Sequence, residues 1–108
     1  MKTNSFNQEI YGLLKKVPRG KITTYKALAE ALGTKAYRAV GQAMRCNPHA
    51  PIVPCHRVVK SDGSIGGFSG NLNPDSREVK RKINMLRKEG VKVDYNRIVD
   101  FEKILFEF

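Results

Sequence analysis

Residues 24–46 read TYKALAEALGTKAYRAVGQAMRC, and this stretch decides the fold. Thr24 can cap a short helix that ends at Gly33. Thr34 can cap the next helix, whose apolar residues recur at helical spacing: Ala36, Ala39, Val40, Ala43 and Met44. Two short helices joined by a glycine-containing turn are typical of a helix-turn-helix, a motif whose second helix enters a groove of DNA.

The outer face of this second helix carries the residue types that a nucleic-acid groove requires. Its small buried residues let the helix lie close to its own core, and Gly41 permits close approach from outside. Basic side chains at both ends of the helix suit phosphate groups. The alternative is a helix pair that binds nothing. The outward residues are Lys35, Tyr37, Arg38, Gly41, Gln42 and Arg45.

Further helices are predicted on both sides of this pair. A helical pattern begins at Ser5 and is stopped by residues 18–20, PRG. A longer helix opens at Asn73 and Pro74, which have the residue types of a cap and a first turn, and it ends at Gly90. Its predicted apolar stripe is Val79, Ile83 and Leu86.

Extended segments separate these helices. Three prolines, Pro48, Pro51 and Pro54, exclude a helix and predict a constrained loop. A tight turn at residues 61–63 joins two short extended segments, 58–60 and 64–66. Residues 66–70 are rich in glycine and predict an exposed loop.

The end of the chain adds two small elements. Residues 91–99 predict a hairpin, and Asp100 can cap a last helical turn. We therefore predict one domain over residues 1–108, mainly α with a small β-hairpin, in a winged-helix-like helix-turn-helix fold.

Charge narrows the choice of partner. The 108 residues carry 20 Lys and Arg against 10 Asp and Glu, a net charge of +10, and no acid lies between Glu30 and Asp62. Such a surface favours a polyanion, most commonly nucleic acid, although a solvated basic face is the alternative. No apolar run reaches the ~18 residues of a membrane span, and the polar start is not that of a signal peptide. We expect a cytoplasmic protein that does not bind a membrane.

The segment Pro54-Cys55-His56-Arg57 can carry chemistry. A thiol is a nucleophile as thiolate, which a neighbouring imidazole or cation favours. Because adjacent side chains of a strand point to opposite faces, contact between Cys55 and His56 needs a turn or a bridging water. Glu89 follows Leu86 by three residues, on the inward side of the last helix, and can orient His56. A solvated surface acid is the alternative for Glu89.

The two cysteines have other interpretations. A disulfide between Cys46 and Cys55 is conceivable, but it is improbable inside a cell. Cys46, His49, Cys55 and His56 also form a Cys/His cluster, but their spacing matches no zinc pattern, so we expect no metal. We interpret Cys46 as a small core residue at a helix end. A thiol protease has little support, because nothing else in the chain supplies a substrate cleft.

From Ser5 to Gly90 the sequence resembles the catalytic domain of the O6-alkylguanine-DNA alkyltransferases, whose full-length members have a further N-terminal domain. The motifs that carry the resemblance occur in the family's order. They are residues 37–41 YRAVG, 44–48 MRCNP, 54–59 PCHRVV, 67–70 GFSG and 86–90 LRKEG. The resemblance implies a repair protein that flips an alkylated guanine out of double-stranded DNA. The alkyl group then passes irreversibly to the protein's own cysteine, once per molecule.

By this resemblance, specific residues acquire roles. Cys55 accepts the alkyl group, His56 deprotonates the Cys55 thiol through a water, and Glu89 orients His56. Tyr25 donates a hydrogen bond to the leaving guanine, and Arg38 fills the gap left by the flipped base. The remaining roles fall to four residues: Val58, Ser69 and Gly70 contact the base, and Asn47 ties the helix-turn-helix to the active-site loop. A monomer without a cofactor is expected.

The sequence departs from the family pattern at two positions. Phe68 stands where many relatives have tyrosine, and Tyr37 where many have a small residue. The resemblance also leaves a second function open: a non-enzymatic lesion sensor similar to the alkyltransferase-like proteins, which generally replace the cysteine, often by tryptophan. Cys55 and the absence of tryptophan favour the enzyme. A plain helix-turn-helix regulator would leave Cys55, His56 and Glu89 without a purpose.

Overall fold

The computed structural model describes residues 5–47, 52–67, 73 and 75–108. Pro48, His49, Pro51, the glycine-rich loop from Phe68 through Ser69 and Gly70, and Pro74 lie outside the described residues, so the predictions made for them are not addressed by the structure. Among the described residues, no helix is long and apolar enough to cross a membrane.

The described chain is mostly helical, as predicted, and it has two small sheets, of which only the hairpin was predicted. The helices are α1 (Ser5–Leu14), α2 (Tyr25–Ala31), α3 (Tyr37–Arg45), α4 (Arg77–Lys88) and α5 (Phe101–Ile104). The strands are β1 (Thr23–Thr24), β2 (Val58–Val59), β3 (Val93–Asp94) and β4 (Arg97–Ile98). A single 3-10 turn at Cys55–Arg57 precedes β2. The predicted hairpin is confirmed, because β3 and β4 pair antiparallel.

The α2–α3 pair follows the prediction at its first cap and departs from it at the second. Thr24 caps α2 by accepting the Ala27 N–H at 2.9 Å, and Gly33 has the positive φ of +70° that suits a glycine after a helix. The predicted cap at Thr34 is wrong: its hydroxyl accepts the Ala36 N–H at 3.1 Å in a local turn, and α3 begins only at Tyr37. Ala36 is therefore exposed and does not belong to the buried stripe.

Helix α4 also begins later than predicted. Asn73 accepts the Asp75 N–H at 3.0 Å in a turn, whereas Ser76 is the N-cap and accepts the Val79 N–H at 3.2 Å. Both residues are of capping type, and the one directly before the amphipathic pattern caps the helix. The predicted stripe is confirmed; the helix ends at Lys88, Glu89 is its C-cap, and Gly90 follows with a φ of +88°.

The strand at 58–59 pairs with a segment distant in sequence. It runs parallel to β1, with Thr23 opposite Val58 and Thr24 opposite Val59. The tight turn at 61–63 is confirmed by the Gly63 N–H, which donates to the Lys60 carbonyl at 3.0 Å. Beyond this turn the chain meets the β3–β4 hairpin, where the Ile65 N–H donates to the Asn96 carbonyl.

The end of the chain departs from the prediction in one respect. Asp100 precedes α5, but its side chain makes no capping hydrogen bond and its backbone is left-handed, with a φ of +57°.

Two apolar clusters meet at β2. The first contains residues of α1, α2 and α3 together with Cys55 and Val58. The second contains Val59 and the inward residues of α4 and the hairpin. Because successive side chains of a strand point to opposite faces, β2 contributes one valine to each cluster. The Cys55–Arg57 turn therefore lies where the two halves of the molecule join.

Candidate active site

Cys55 is buried at the edge of a cleft. Cys55 is 8% exposed. Its backbone N–H donates to the Val53 carbonyl at 2.9 Å, and this hydrogen bond holds the start of the 3-10 turn. The cleft has a volume of about 810 Å³. One side is formed by α3 and the other by residues on both sides of the 61–63 turn and by the hairpin. Its lining includes Tyr25, Tyr37, Arg38, Gln42, Arg45, Cys55, Lys60, Ser64, Gly66, Gly67 and Asn96.

The outward face of α3 lies against this cleft. Tyr37, Arg38, Gln42 and Arg45 all line it and are exposed, so the structure brings four of the predicted DNA-facing side chains to the same opening as Cys55. Lys35 is exposed but precedes α3 and does not line the cleft.

Behind the cysteine, three side chains form one hydrogen-bonded group. His56 Nε2 lies 2.9 Å from Glu89 Oε2. Arg57 donates to both oxygens of the same carboxylate, from Nε at 2.8 Å and from Nη2 at 2.7 Å. Arg57 Nη1 donates to the Val17 carbonyl at 2.8 Å, which anchors the guanidinium. The sequence spacing that selected Glu89 as a partner of His56 therefore corresponds to a direct contact.

The second ring nitrogen of His56 is free. Nδ1 is buried and has no hydrogen-bond partner among the described residues. No hydrogen bond joins His56 to Cys55 in that part of the chain, so a proton can pass between them only by a small rearrangement or through a water. With Nε2 directed at the carboxylate, the Nε2–H tautomer leaves the lone pair of Nδ1 as the acceptor.

The electrostatics of the group keep His56 neutral and Glu89 ionised. Burial lowers the pKa of His56 and outweighs the hydrogen bond and charge of Glu89, which raise it; Arg57 and Lys82 add to the lowering. Burial raises the pKa of Glu89, but the hydrogen bonds and charges of Arg57 and His56 together lower it by more, so the pKa of Glu89 is below its usual value. A neutral imidazole beside a carboxylate is equipped to accept a proton at neutral pH.

Tyr25 presents an unused hydroxyl to the same cleft. Burial raises its pKa to about 12, and the charge of Cys55 acts in the same direction. The phenol is therefore protonated at neutral pH and can donate. Its hydroxyl has no partner within the part of the chain that the structure describes.

Two further predicted residues make backbone contacts. Asn47 Nδ2 donates to the Val53 carbonyl at 2.8 Å, which joins the end of α3 to the segment before Cys55. Val58 is buried in β2, and its carbonyl accepts a hydrogen bond from Lys82 at 2.6 Å. Ser69 and Gly70 lie outside the described residues.

Cys46 is not a core residue, which corrects the interpretation made from the sequence. It is exposed at the C-terminal end of α3, one residue beyond the last helical position, where the buried stripe of Val40 and Ala43 has already turned away. Both cysteines are free thiols, so no disulfide joins them. No group of three or more metal-ligating side chains occurs within the described ranges.

Sequence reasoning missed two residues of this region. Arg57 was noted only as a cation next to Cys55, whereas it holds Glu89 with two hydrogen bonds. Lys82 was not singled out, although it is fully buried among the apolar residues of α4. A lysine at an inward position between Val79 and Leu86 was the available signal.

Comparison with known proteins assigns this arrangement to a family. Residues 5–91 match the family model described as 6-O-methylguanine DNA methyltransferase, DNA binding domain, and the chain belongs to that family. A methylated-DNA–protein-cysteine methyltransferase of Saccharolobus islandicus is 44% identical over 93 residues, which cover 86% of this chain and 56% of the relative. The chain thus spans about half the length of the curated relatives it matches.

Solved structures give the same assignment. The O6-methylguanine-DNA methyltransferase of Pyrococcus kodakaraensis superposes with a TM-score of 0.69 at 43% identity, over 82% of this chain and 48% of that protein. S. pombe Atl1, solved in complex with damaged DNA containing O6-carboxymethylguanine, superposes with a TM-score of 0.77 at 25% identity. In that comparison 99% of each chain is covered.

Proposed function

We propose that the protein repairs double-stranded DNA by transferring the alkyl group of an O6-alkylguanine to Cys55. The observation that carries the proposal is a single cleft that contains the Cys55 thiol and the free Tyr25 hydroxyl, with the His56–Glu89 pair behind the thiol. Membership of the family and the names of the relatives support the same reaction.

The first step is activation of the thiol. The free Nδ1 of His56 accepts the Cys55 proton through a bridging water, while Glu89 stabilises the imidazolium that forms. Arg57 keeps the carboxylate ionised and fixed by its two hydrogen bonds.

The second step is displacement at the alkyl carbon. The Cys55 thiolate attacks this carbon, an S–C bond forms, and the bond between the carbon and the guanine oxygen breaks. The electron pair of that bond leaves with the base, which develops negative charge and accepts a hydrogen bond or proton from Tyr25. The thioether product has no second thiol beside it in the described cleft, so the reaction ends after one turnover.

Recognition of the duplex falls to α3. Arg38 and Tyr37 stand at the opening of the cleft, where a side chain can occupy the gap that an extrahelical base leaves. Arg45 and Lys35 supply charge for phosphates at the two ends of the helix region. Because phosphate contacts carry no sequence information, we expect binding to depend weakly on sequence and strongly on salt.

Mass spectrometry of the intact protein tests the proposal. After mixing with one equivalent of duplex containing O6-methylguanine, the protein should gain the mass of one methyl group on Cys55 and then stop. The matched controls are Cys46→Ser, which should react fully, and Cys55→Ser, which should bind the duplex and gain nothing. Repeated turnover, or a methyl group on Cys46, would contradict the proposal.

The same experiment separates transfer from lesion sensing. The likeness to Atl1 over 99% of both chains favours a binding protein as the second candidate. A sensor predicts tight binding to the alkylated duplex with no change in the mass of the protein. Cys55 with its adjacent relay favours transfer.

A further inference from the structure

Lys82 is a buried charge that the reaction scheme does not use. Its side chain has 0% exposure and lies within the inward stripe of α4. The ammonium donates three hydrogen bonds, to the carbonyls of Val58 at 2.6 Å, Ile65 at 2.7 Å and Gly67 at 3.1 Å. No carboxylate pairs with it within the described residues. An ammonium is costly to remove from water, so a fully buried one held only by backbone calls for a functional explanation.

The three carbonyls belong to the two backbone segments that border the cleft. Val58 directly follows the Cys55–Arg57 turn and starts β2. Ile65 and Gly67 belong to the segment that returns past the 61–63 turn, and Gly66 and Gly67 line the cleft opposite α3. One side chain from α4 therefore connects β2, the strand that directly follows the turn with the nucleophile, to the rim of the cleft. We call this set of three hydrogen bonds the Lys82 clamp.

We propose that Lys82 is a positioning residue for alkyl transfer, whose clamp holds the Gly66–Gly67 rim against β2, directly after the Cys55–Arg57 turn, and so sets the width of the cleft around the reacting base. The proposal rests on the function proposed above. Lys82 does not reach the cleft itself, and it acts through the backbone that it holds. A small error in the placement of a reacting group slows a reaction by a large factor. A fixed distance between the Gly66–Gly67 rim and β2 therefore matters for the rate of transfer.

The clamp depends on one proton. A charged ammonium has three donors for three carbonyls, whereas a neutral amine has two donors and directs a lone pair at the third oxygen. The contact to Gly67 is the longest of the three, so we expect the rim to be released first. Burial lowers the pKa of Lys82 to about 7, so the change falls in the physiological range.

The groups around Lys82 act on this proton in known directions. Negative charge on Cys55 raises the pKa of Lys82, and the charge of Lys82 in turn lowers the pKa of His56. Glu89 is engaged by His56 and Arg57 rather than by Lys82. The contacts from β2 and from residues 65–67 are backbone carbonyls. Since the lowered pKa lies near 7, the clamp is complete below that pH and is lost as the pH rises through it.

Wild-type protein tests the clamp directly. The nitrogen-15 shift of Lys82 Nζ and the carbon-13 shift of the Gly67 carbonyl are followed by NMR from pH 5.5 to 8.5, without DNA. Both shifts should titrate together, with a midpoint close to 7. A Gly67 carbonyl that does not change while Nζ titrates would overturn the clamp, whether or not the protein transfers alkyl groups.

Transfer kinetics test the consequence. Lys82→Met keeps the length of the side chain and removes the charge, Lys82→Arg keeps the charge, and Lys80→Met on the exposed side of α4 is the matched control. At saturating duplex with one O6-methylguanine and at pH 6.5, Lys82→Met should slow the single-turnover transfer about tenfold or more, with an unchanged Kd for DNA. Loss of the clamp should make the wild-type transfer rate fall as the pH rises above 7. Lys82→Arg should recover part of the rate and lack this fall, and Lys80→Met should match the wild type.

The outcomes distinguish this proposal from the proposed function. A wild-type protein that transfers no methyl group refutes the function, while the NMR titration still decides the clamp. A wild-type protein that transfers, together with a Lys82→Met variant that transfers equally fast at every pH, refutes the positioning role. Denaturant unfolding of each variant is measured alongside, and if Lys82→Met does not fold, the titration of the wild-type protein decides.

Discussion

Helices α3 and α4 both expose basic side chains, but they differ in the residues that they bury. The exposed basic residues are Arg38 and Arg45 on the first and Lys80 and Arg81 on the second. Helix α3 buries only Val40 and Ala43, so it is a thin element whose outer face borders the cleft. The stripe of α4 is larger and includes a lysine, and the helix is followed by its C-cap residue Glu89, which holds His56 and Arg57.

The difference separates binding from chemistry. The outward side of α3 is available to a partner, and its inward side has only to pack. The inward side of α4 supports the backbone and the relay behind Cys55, while its outward residues line no part of the cleft. Substitutions on the two helices should therefore change different measurements, although both carry positive charge.

The largest effect is expected at the end of α4. Glu89→Gln removes the charge that stabilises the imidazolium of His56, and it should slow transfer at pH 7 by about 10- to 1,000-fold. Hydroxide can replace the relay at higher pH, so the rate profile should move to higher pH. Single-turnover rates from pH 6 to 10 measure this shift, and anisotropy should show unchanged DNA binding. A native rate with an undisplaced profile would remove Glu89 from the mechanism and leave Cys55 as the nucleophile.

The next effect belongs to α3. Arg38→Ala should slow transfer from duplex DNA by about tenfold, because unstacking a base is costly when nothing fills its place. Transfer from a single-stranded oligonucleotide should change much less, and this comparison is the measurement. Arg81→Ala on the exposed face of α4 is the matched control and should leave both rates unchanged. Repair of the duplex at the native rate by the Arg38→Ala protein would contradict the assigned role.

These two helices also show what the sequence could predict. Thr24 and Gly33 were found because a cap and a positive φ are local features. The start of α3 was missed because the Thr34 hydroxyl forms a local turn that competes with capping. Helical periodicity correctly placed Glu89 on the inward side of the fold, next to His56.

The remaining site contacts required the tertiary structure. Arg57 meets Glu89 from 32 positions away in sequence, and Lys82 meets the Val58 carbonyl from 24 positions away. Neither contact can be predicted from the spacing of residues within one helix or strand. The unexpected residue type, a charge on an apolar stripe, was visible in the sequence, but its three backbone partners were not.

The two helix ends offer a test of stability without chemistry. Gly33 follows α2 and Gly90 follows α4, both have positive φ, and a Cβ at either position would meet no atom within 4 Å. Alanine at each should therefore lower the free energy of unfolding by about 1 to 2 kcal/mol, through backbone strain alone. Urea denaturation measures both. A much larger loss for Gly90→Ala would mean that the strain reaches Glu89 next to it, and transfer should then slow as well.

The smallest effect separates the two basic faces. Lys35 lies just before α3, and Lys80 is equally exposed on α4. If the α3 side faces the phosphates, Lys35→Ala should weaken DNA binding only a few-fold, but it should reduce the slope of log K against log salt by about 1, because one fewer counterion is released. Lys80→Ala removes the same charge from the protein and should leave that slope unchanged. Titrations between 50 and 200 mM salt on one duplex give both values. Equal losses of slope would mean that α4 also contacts the DNA backbone. The assignment of DNA binding to α3 and of support for the catalytic residues to α4 would then no longer hold.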